Sequence, residues 1–336
     1  MSPEISGLLL REKQFSAFVT GTLLDFWRQR EEGEFPGVDD VPIRFVRFTA
    51  PQHSRLVVVF PGRIESYVKY GEVAYYLFQA GYDVLIMDHR GQGRSGRMLE
   101  DGNRGHVVRF GDYVDDVEQF WLHHVDAVKT AEPERYKRCF ALAHSMGGAI
   151  LGHFLARRPD AFDAAVLCAP MCGIKLPMPG WLASRIVAWA ELHPRIRDYY
   201  AIGTGQWRPL PYLINVLTHS RERYRRSVRA YADEPGLRVG GPTYHWMRES
   251  MAAGRELMAL AAHITTPLLL LQAQEDIVVD NHSQDAFCQA LAEAGHPCAG
   301  GTPVVIAGAR HELLFEEDGI RAQVFTHILN HFAQYP

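Results

Sequence analysis

The sequence predicts an α/β fold with a mostly parallel central sheet, helices on both faces and a helical insertion. Short apolar runs alternate with helical patterns over the first 170 residues, which is typical of parallel strands joined by helices. The alternation stops near residue 171 and resumes near residue 263. With 336 residues, 47% of them hydrophobic, the chain also has ample apolar material for a large core.

The individual elements follow from the patterns in chain order. Residues 41–49 and 55–60 are predicted to be strands that form a hairpin-like pair. A helix over residues 67–79 is predicted to end at Gly81, since glycine commonly closes helices. The remaining core elements are predicted as strands at 82–87, 138–143, 164–168, 267–272 and 303–306, and helices at 110–128, 283–294 and 319–332.

The segment from residue 171 to residue 262 is rich in proline, arginine and aromatic residues and shows no clear strand pattern. Helical stretches are predicted at residues 182–192 and 220–232. An insertion at this point of the chain lies over the carboxyl edge of the sheet, where α/β proteins bind ligands. We therefore predict a core formed by residues 1–170 and 263–336, with residues 171–262 as a helical cap.

Ala143-His144-Ser145-Met146-Gly147 is predicted to be a nucleophile elbow, because it lies between a predicted strand and a predicted helix. The turn is so sharp that the residues two before and two after the serine must be small. Ala143 and Gly147 meet this requirement, although glycine is commoner at the first position. Ser145 is therefore the predicted nucleophile, and His144 is interpreted as structural.

A serine hydroxyl needs a general base, and the base needs an acid that orients it. In this arrangement the order along the chain is serine, acid, histidine. Asp276 is the predicted acid, and Glu275 and Asp280 are the alternatives in the same loop. Glu275 is expected to point the opposite way, while Asp280 is expected to cap the next helix. His311 is the predicted base, since it is placed in the loop after the last strand.

An oxyanion hole needs two backbone N–H groups directed at the developing negative charge. The N–H group of Met146, directly after the nucleophile, is predicted to be one donor. The second is predicted to be the N–H group of Arg63 in the loop after the strand at 55–60, where Gly62 permits a close backbone approach. The side chain of Arg63 is expected either to face the substrate or to be solvated.

Two classes of ligand are excluded, and no cofactor is expected. Gly91, Gly93 and Gly96 match a dinucleotide-binding spacing, but no clear helix follows them, and such a site needs a helix N-terminus. We interpret this loop as a brace for the active edge. The formal net charge of −4 provides no excess of cations for nucleic acid. Serine-based acyl chemistry needs no metal and no organic cofactor.

The sequence favours a cytoplasmic location. The N-terminus lacks a basic start followed by a continuous apolar segment, so no secretory signal is predicted. No window approaches the roughly 20 apolar residues that span a bilayer. Cys168 and Cys172 are expected to be buried, reduced thiols, and structural disulfides are not expected in a reducing compartment. The five cysteines match no zinc-binding spacing.

Several of these motifs resemble the α/β-hydrolase group that contains monoacylglycerol lipases and lysophospholipases. They are Pro61-Gly62-Arg63, His144-Ser145-Met146-Gly147-Gly148, Gly308-Ala309-Arg310-His311 and residues 88–95 and 272–276. The runs at residues 25–30, 61–70 and 239–246 resemble the bacterial lysophospholipases of this group, and the resemblance covers nearly the whole chain. One departure is Pro61, where the group usually has histidine.

The resemblance implies an α/β-hydrolase fold and hydrolysis of the one remaining acyl ester of a lysophospholipid. It also allows transfer of the acyl group to a second lipid, phosphatidylglycerol. Peripheral association with the cytoplasmic face of the inner membrane is implied as well. Two alternatives stay open: a different acyl-ester specificity, such as monoacylglycerol or a thioester, and a non-catalytic binding protein. The intact Ser145, Asp276 and His311 argue against the second.

Two groups of cap residues are candidates for lipid binding. Arg221, Arg225 and Arg229 are spaced by four residues and share one face of a predicted helix. This face either binds phosphate headgroups or an anionic membrane surface, or it is solvated and forms local ion pairs. Trp181, in the segment at residues 178–182, is a candidate for lining an acyl channel or touching lipid. Burial within the cap is the commoner fate of such a segment.

Overall fold

The computed structural model describes residue 7 and residues 11–336, and eight strands form a single sheet within them. The strands are β1 (Glu31–Pro36), β2 (Pro42–Phe48), β3 (Arg55–Phe60), β4 (Asp83–Met87), β5 (Arg138–His144), β6 (Ala164–Cys168), β7 (Leu268–Ala273) and β8 (Val304–Ile306). Their spatial order is β1-β2-β4-β3-β5-β6-β7-β8. The β1–β2 and β2–β4 pairs are antiparallel, and every pair from β4 to β8 is parallel. The predicted mostly parallel fold class is thereby confirmed.

Helices connect and cover the strands. They are α1 (Phe15–Thr20), α2 (Thr22–Trp27), α3 (Gly71–Gln79), α4 (Phe110–Trp121), α5 (Ala127–Ala131), α6 (Met146–Arg157), α7 (Gly180–Glu191), α8 (Pro194–Arg197), α9 (Arg221–Asp233), α10 (Tyr244–Leu260), α11 (Asn281–Glu293) and α12 (Asp318–Phe332). Every residue of β4, β6 and β7 is buried, so both faces of the central sheet are covered. Across the described part of the chain, no helix combines the length and the hydropathy needed to cross a membrane.

The two early strands do not form the predicted hairpin-like pair. Instead, β2 lies between β1 and β4, while β3 lies between β4 and β5. The burial of the two strands explains this arrangement. Nearly all of β3 is buried, which suits a central position, whereas β2 alternates between exposed and buried residues. β1 was not predicted, because Phe35 is its only buried residue and the strand carries no apolar pattern.

Two predicted helices differ from the observed ones at their ends. The helix predicted over residues 67–79 begins only at Gly71, because the backbone N–H of Tyr67 donates to Asp88 Oδ1 (2.6 Å) and residues 67–70 form a turn. The helix predicted over residues 110–128 is interrupted between α4 and α5 by a π-helical turn, Leu122–Asp126. The structured segment therefore extends to Ala131.

Residues 171–262, which we call the insertion, contain α7 to α10 and no strand; the structure describes all of them. The helices α7 and α9 correspond to the two predicted stretches, but α10 was not predicted. Its buried stripe includes Ser250, Ala253 and Gly254, which give little apolar periodicity. The helix packs closely on α6, since a Cβ at Gly152 of α6 would come within 2.6 Å of Leu257 Cδ1.

A buried ion cluster joins the insertion to the core. Arg223 of α9 donates to Glu72 of α3 (Nε to Oε2, 2.9 Å) and to Asp318 of α12 (Nη2 to Oδ1, 2.7 Å). Arg321 also donates to Glu72 (3.0 Å). Burial opposes ionisation of Glu72, but Arg321 and Arg223 lower its pKa to about 2. Since an unpaired buried charge costs several kcal/mol, this cluster holds α9 firmly against the core.

The state of the cysteines was predicted only in part. Cys168 and Cys172 are buried free thiols, as predicted, and burial raises the pKa of each thiol. Cys288 and Cys298, however, are joined in a disulfide, although no structural disulfide was predicted. The loop after α11 folds back on the helix and brings the two Cα atoms to 5.9 Å, within the usual range for disulfides.

Candidate active site

Ser145 occupies a strained turn between β5 and α6. Its backbone has φ 51° and ψ −119°, a conformation that non-glycine residues rarely adopt and that often marks functional sites. The turn is fixed by hydrogen bonds from the Ser145 N–H to Cys168 O (3.1 Å) and from the Met171 N–H to Ser145 O (2.9 Å). A Cβ at Gly147 would lie 2.2 Å from Phe60 O, so only glycine fits where α6 begins.

The structure brings Ser145, His311 and Asp276 together in one hydrogen-bonded chain. His311 Nε2 lies 3.0 Å from Ser145 Oγ, and His311 Nδ1 lies 2.7 Å from Asp276 Oδ2. The three residues follow β5, β8 and β7 at the carboxyl edge of the sheet. Each is more than 90% buried, so water competes little with these bonds. This is the geometry of a nucleophile, a base and an orienting acid.

Asp276 is fixed on both sides of its carboxylate. Its Oδ1 accepts the backbone N–H groups of Val278 (2.8 Å) and Val279 (3.0 Å). Burial would raise the pKa of Asp276, but the hydrogen bond and charge of His311, together with these two N–H groups, lower it. The two alternative acids lie elsewhere: the side chain of Glu275 is half exposed, and Asp280 caps α11 by accepting the Ser283 N–H (3.1 Å).

The backbone N–H groups of Arg63 and Met146 are the two predicted oxyanion donors. Within residues 11–336, neither the N–H of Arg63 nor that of Met146 donates a hydrogen bond. The loop that carries Arg63 packs directly on Ser145, because a Cβ at Gly62 would lie 3.2 Å from Ser145 Cβ and 2.8 Å from His144 Nδ1. Glycine at position 62 is what permits this approach.

The loop after β4 braces the Arg63 loop, in line with the interpretation of its glycines as structural. Gln92 accepts the Ile64 N–H (3.0 Å) and donates to Gly62 O (2.7 Å). Ile64 has φ 59°, so the turn is held in a conformation that the chain would not adopt freely. A Cβ at Gly93 would lie 2.0 Å from Asp88 Oδ2, which explains a glycine there.

The side chain of Arg63 is partly buried and contacts the insertion, so it is not the solvated loop arginine of one expectation. Its Nη2 donates to Gly240 O in the insertion (2.7 Å), and its guanidinium lies 5.0 Å from the ring centroid of Trp246. Burial of the guanidinium lowers the pKa of Arg63 to about 10. The side chain thus ties the Arg63 loop to the insertion.

A cavity of about 310 Å³ opens beside Ser145 and His311, a volume typical of small-molecule sites. Its walls are mainly apolar, and the insertion supplies most of them: Trp207, Leu210, Leu217, Tyr224, Val228 and Tyr231. The floor is polar and includes Glu65, Lys69 and Glu312. These three residues were not predicted from the sequence, although Glu65 and Lys69 are four apart and Glu312 follows His311.

The candidate lipid-binding residues do not line this cavity. Arg221, Arg225 and Arg229 are exposed on a face of α9 separate from the one that carries Tyr224 and Tyr231. Arg225 lies 3.7 Å from Glu222, and Arg229 lies 3.4 Å from Asp233. Trp181 on α7 is 66% exposed, so the expectation that its segment is buried is wrong. The helix α7 buries Ala183, Val187 and Ala190 instead.

The chain is similar in sequence and in fold to several known proteins. A family model described as serine aminopeptidase, S33 matches residues 51–318. The chain is 58% identical to lysophospholipase L2 of Escherichia coli K12, over 97% of this chain and 94% of that protein. It is 30% identical to the probable lysophospholipase L2 of Haemophilus influenzae, over 96% and 98% of the two chains. A carboxyl esterase of Bacillus coagulans has the same fold (TM-score 0.69, 17% identity, 91% and 98% coverage).

Proposed function

Because the chain belongs to the serine aminopeptidase S33 family of α/β-hydrolases, we propose that it is a serine-dependent lysophospholipase with Ser145 as its nucleophile. The substrate is a lysophospholipid, and the products are a free fatty acid and a glycerophosphodiester. The observation that carries the proposal is the hydrogen-bonded chain from Ser145 Oγ through His311 to Asp276, at the floor of a largely apolar cavity.

The reaction follows from the positions of these groups. Ser145 Oγ attacks the acyl carbonyl carbon while its proton passes to His311 Nε2, 3.0 Å away. Asp276 stabilises the imidazolium, and the N–H groups of Arg63 and Met146 bind the oxyanion. His311 then returns the proton to the leaving glycerol oxygen. Water, activated by His311, hydrolyses the acyl-enzyme and restores Ser145.

The walls of the cavity support a substrate with one acyl chain and a charged headgroup. We propose that the insertion acts as a cap, since its apolar side chains form the wall beside Ser145. Arg208 on the same wall is exposed, and within residues 11–336 no carboxylate lies within 4 Å of it. A headgroup phosphate would supply the missing partner. Monoacylglycerol, the substrate of the alternative specificity, has no such group.

A substrate panel tests this specificity. Fatty-acid release is measured from lysophosphatidylethanolamine, from a monoacylglycerol and from an acyl thioester, all with the same palmitoyl chain. We expect the lysophospholipid to have the highest kcat/KM, and a fluorophosphonate probe to label Ser145 and stop release. Release from monoacylglycerol alone would support a serine esterase but overturn the lysophospholipase proposal. No labelling of Ser145 would favour the binding-protein alternative.

We further propose that the acyl-enzyme can pass its acyl group to phosphatidylglycerol. A lipid alcohol can attack the same acyl-enzyme as water does, with His311 as the base in both cases. Adding phosphatidylglycerol to the lysophosphatidylethanolamine assay should produce acyl-phosphatidylglycerol at the expense of free fatty acid. If the acyl group is recovered only as free fatty acid at every phosphatidylglycerol concentration, the enzyme is restricted to hydrolysis.

Peripheral association with the cytoplasmic face of the inner membrane is also part of the proposal. A turn at Tyr212–Ile214 packs on α9, where the Tyr224 hydroxyl donates to Leu210 O (3.0 Å). This turn exposes Leu213 (94%) and Ile214 beside the helix that exposes the three arginines. Apolar side chains next to a basic face are typical of surfaces that bind anionic membranes. Leu210 and Tyr224 also line the cavity, so its mouth would face the lipid.

Replacing Arg221, Arg225 and Arg229 together by alanine is expected to weaken binding to phosphatidylglycerol-containing vesicles roughly 100-fold, because each cation near such a surface contributes about 1 kcal/mol. Vesicle sedimentation at low and high salt measures the effect. A triple variant at Arg28, Arg44 and Arg47, exposed arginines near the β1–β2 edge, makes the same change in net charge. Equal binding by both triple variants would contradict a role for the α9 face.

A further inference from the structure

Four side chains that the mechanism does not use meet beneath the active-site cavity: Glu65, Lys69, His144 and Glu312. All are buried. Lys69 Nζ donates to Glu65 Oε1 (2.7 Å) and to Glu312 Oε1 (2.6 Å). Removing one partner of a buried ion pair is strongly destabilising, so we expect the cluster to act as a unit.

Glu65 has the largest number of partners. Besides the Lys69 ammonium on Oε1, its Oε2 accepts the backbone N–H of Gly62 (2.5 Å), the hydroxyl of Tyr70 (2.5 Å) and the Nδ1–H of His144 (3.1 Å). Burial alone would raise the pKa of Glu65, but the charges of Lys69 and His144 and their hydrogen bonds hold it well below its usual value. Glu65 is therefore a carboxylate.

Glu65 contacts two residues, each of which directly precedes a proposed reacting group in the chain. Gly62 directly precedes Arg63, whose N–H is a proposed oxyanion donor, and His144 directly precedes Ser145. A displacement of either contact would move the neighbouring backbone. One carboxylate thus sets the distance between the oxyanion loop and the nucleophile turn.

Glu65 is also connected to the loop of His311, the proposed base, through His144 and Lys69. His144 Nε2 donates to the backbone carbonyl oxygen of His311 (3.1 Å), and Lys69 binds Glu312, the residue after His311. Both ring nitrogens of His144 face oxygen acceptors, so both must carry a proton. The cluster then holds two carboxylates and two cations and is neutral overall. The Glu65 carboxylate raises the pKa of His144 even though burial opposes this.

We infer that Glu65 is a positioning residue that holds the oxyanion loop, the nucleophile turn and the base loop in their reactive arrangement. The inference rests on the proposed function of Ser145, Asp276 and His311. A residue of this kind affects the transition state more than the bound substrate, because the oxyanion exists only during reaction. Its loss should therefore lower kcat and leave KM nearly unchanged.

Glu65→Gln tests this inference, because it keeps the size of the side chain and removes its charge. We expect kcat to fall roughly 100- to 1000-fold, the effect of losing one oxyanion donor, with KM within about threefold. Affinity for an alkyl trifluoromethyl ketone, which forms an oxyanion on the serine, should fall in parallel. Affinity for an ether-linked lysophospholipid, which has no carbonyl, should not change.

The matched control is Asp83→Asn, which also removes a buried carboxylate from a cation, Arg135, but does so at the amino end of β4, the sheet edge opposite Ser145. Its kcat should stay within about tenfold of the wild type. If Glu65→Gln fails to fold, His144→Gln breaks the same link and is expected to give the same division between kcat and KM. The inference is overturned if the folded variant keeps wild-type kcat and ketone affinity, or if Glu65→Gln and Asp83→Asn lose activity equally.

Activity on p-nitrophenyl butyrate keeps this test independent of the substrate proposal. If the wild type cleaves this ester but no lysophospholipid, the lysophospholipase proposal fails. The effect of Glu65→Gln on the ester then still decides whether Glu65 positions the reacting groups.

Discussion

Ser145→Ala is expected to reduce fatty-acid release from lysophosphatidylethanolamine by roughly 10⁵- to 10⁶-fold in kcat, because no acyl-enzyme can form without the hydroxyl. KM should change little, since the walls of the cavity are untouched. The fold should also persist, because the turn is held by backbone bonds to Cys168 and Met171 that alanine retains. Release of fatty acid and labelling by a fluorophosphonate probe are measured together.

Ser227→Ala is the matched control for this variant. Ser227 lines the same cavity from α9, and its hydroxyl forms no hydrogen bond within residues 11–336. Its loss should change kcat less than threefold and leave labelling intact. If Ser145→Ala retains more than about one hundredth of the wild-type kcat, the assignment of the nucleophile is wrong. A similar loss in the control would point to general damage to the cavity.

Asp276→Asn is expected to lower kcat roughly 10⁴-fold, and the structure gives the reason. The N–H groups of Val278 and Val279 require an oxygen at the Oδ1 position. The asparagine must therefore turn its NH₂ group toward His311 Nδ1, which then has to accept a hydrogen bond. The proton of the neutral imidazole moves to Nε2, and this tautomer cannot accept the proton of Ser145. Steady-state kinetics with lysophosphatidylethanolamine measures the loss.

Two neighbouring carboxyl groups serve as controls for Asp276. Asp280→Asn should leave kcat unchanged, because asparagine caps a helix as well as aspartate does. Glu275→Gln should also leave kcat unchanged, since the side chain of Glu275 is half exposed and does not contact His311. A loss in either control comparable to that of Asp276→Asn would mean that the acid has been misassigned. A loss below tenfold in Asp276→Asn would exclude it as the orienting acid.

Much of the fold and of the candidate site was predictable because the signals are local. The elbow needs a strand, a serine between small residues and a helix, all within about 20 residues. Steric demands within that segment explain its composition, as the 2.2 Å approach of a Cβ at Gly147 to Phe60 O shows. The order of acid and base along the chain places Asp276 and His311 after neighbouring strands, where the sheet brings them to one edge.

Other features depend on partners that are distant in the chain. The prediction that the two early strands form a hairpin-like pair was wrong, because β4, 23 residues beyond β3, lies beside β2. The side chain of Arg63 binds Gly240, 177 residues away. The expected burial of the segment with Trp181 was also wrong, since which face of α7 is covered depends on the helices packed against it. The Cys288–Cys298 disulfide requires the chain to fold back after α11.

The sequence by itself therefore determined the mostly parallel α/β class, the sharp turn at Ser145 and the residue types of the candidate site, since backbone sterics and hydrophobic periodicity act over short segments. Only the tertiary structure decided the order of the early strands, the burial of the Arg63 guanidinium and the meeting of Glu65 with Gly62, His144 and Lys69. The physical reason is that buried polar groups need hydrogen-bonding partners, and these partners lie far apart in the chain. Those partners come from several loops, whose meeting depends on the packing of the whole sheet.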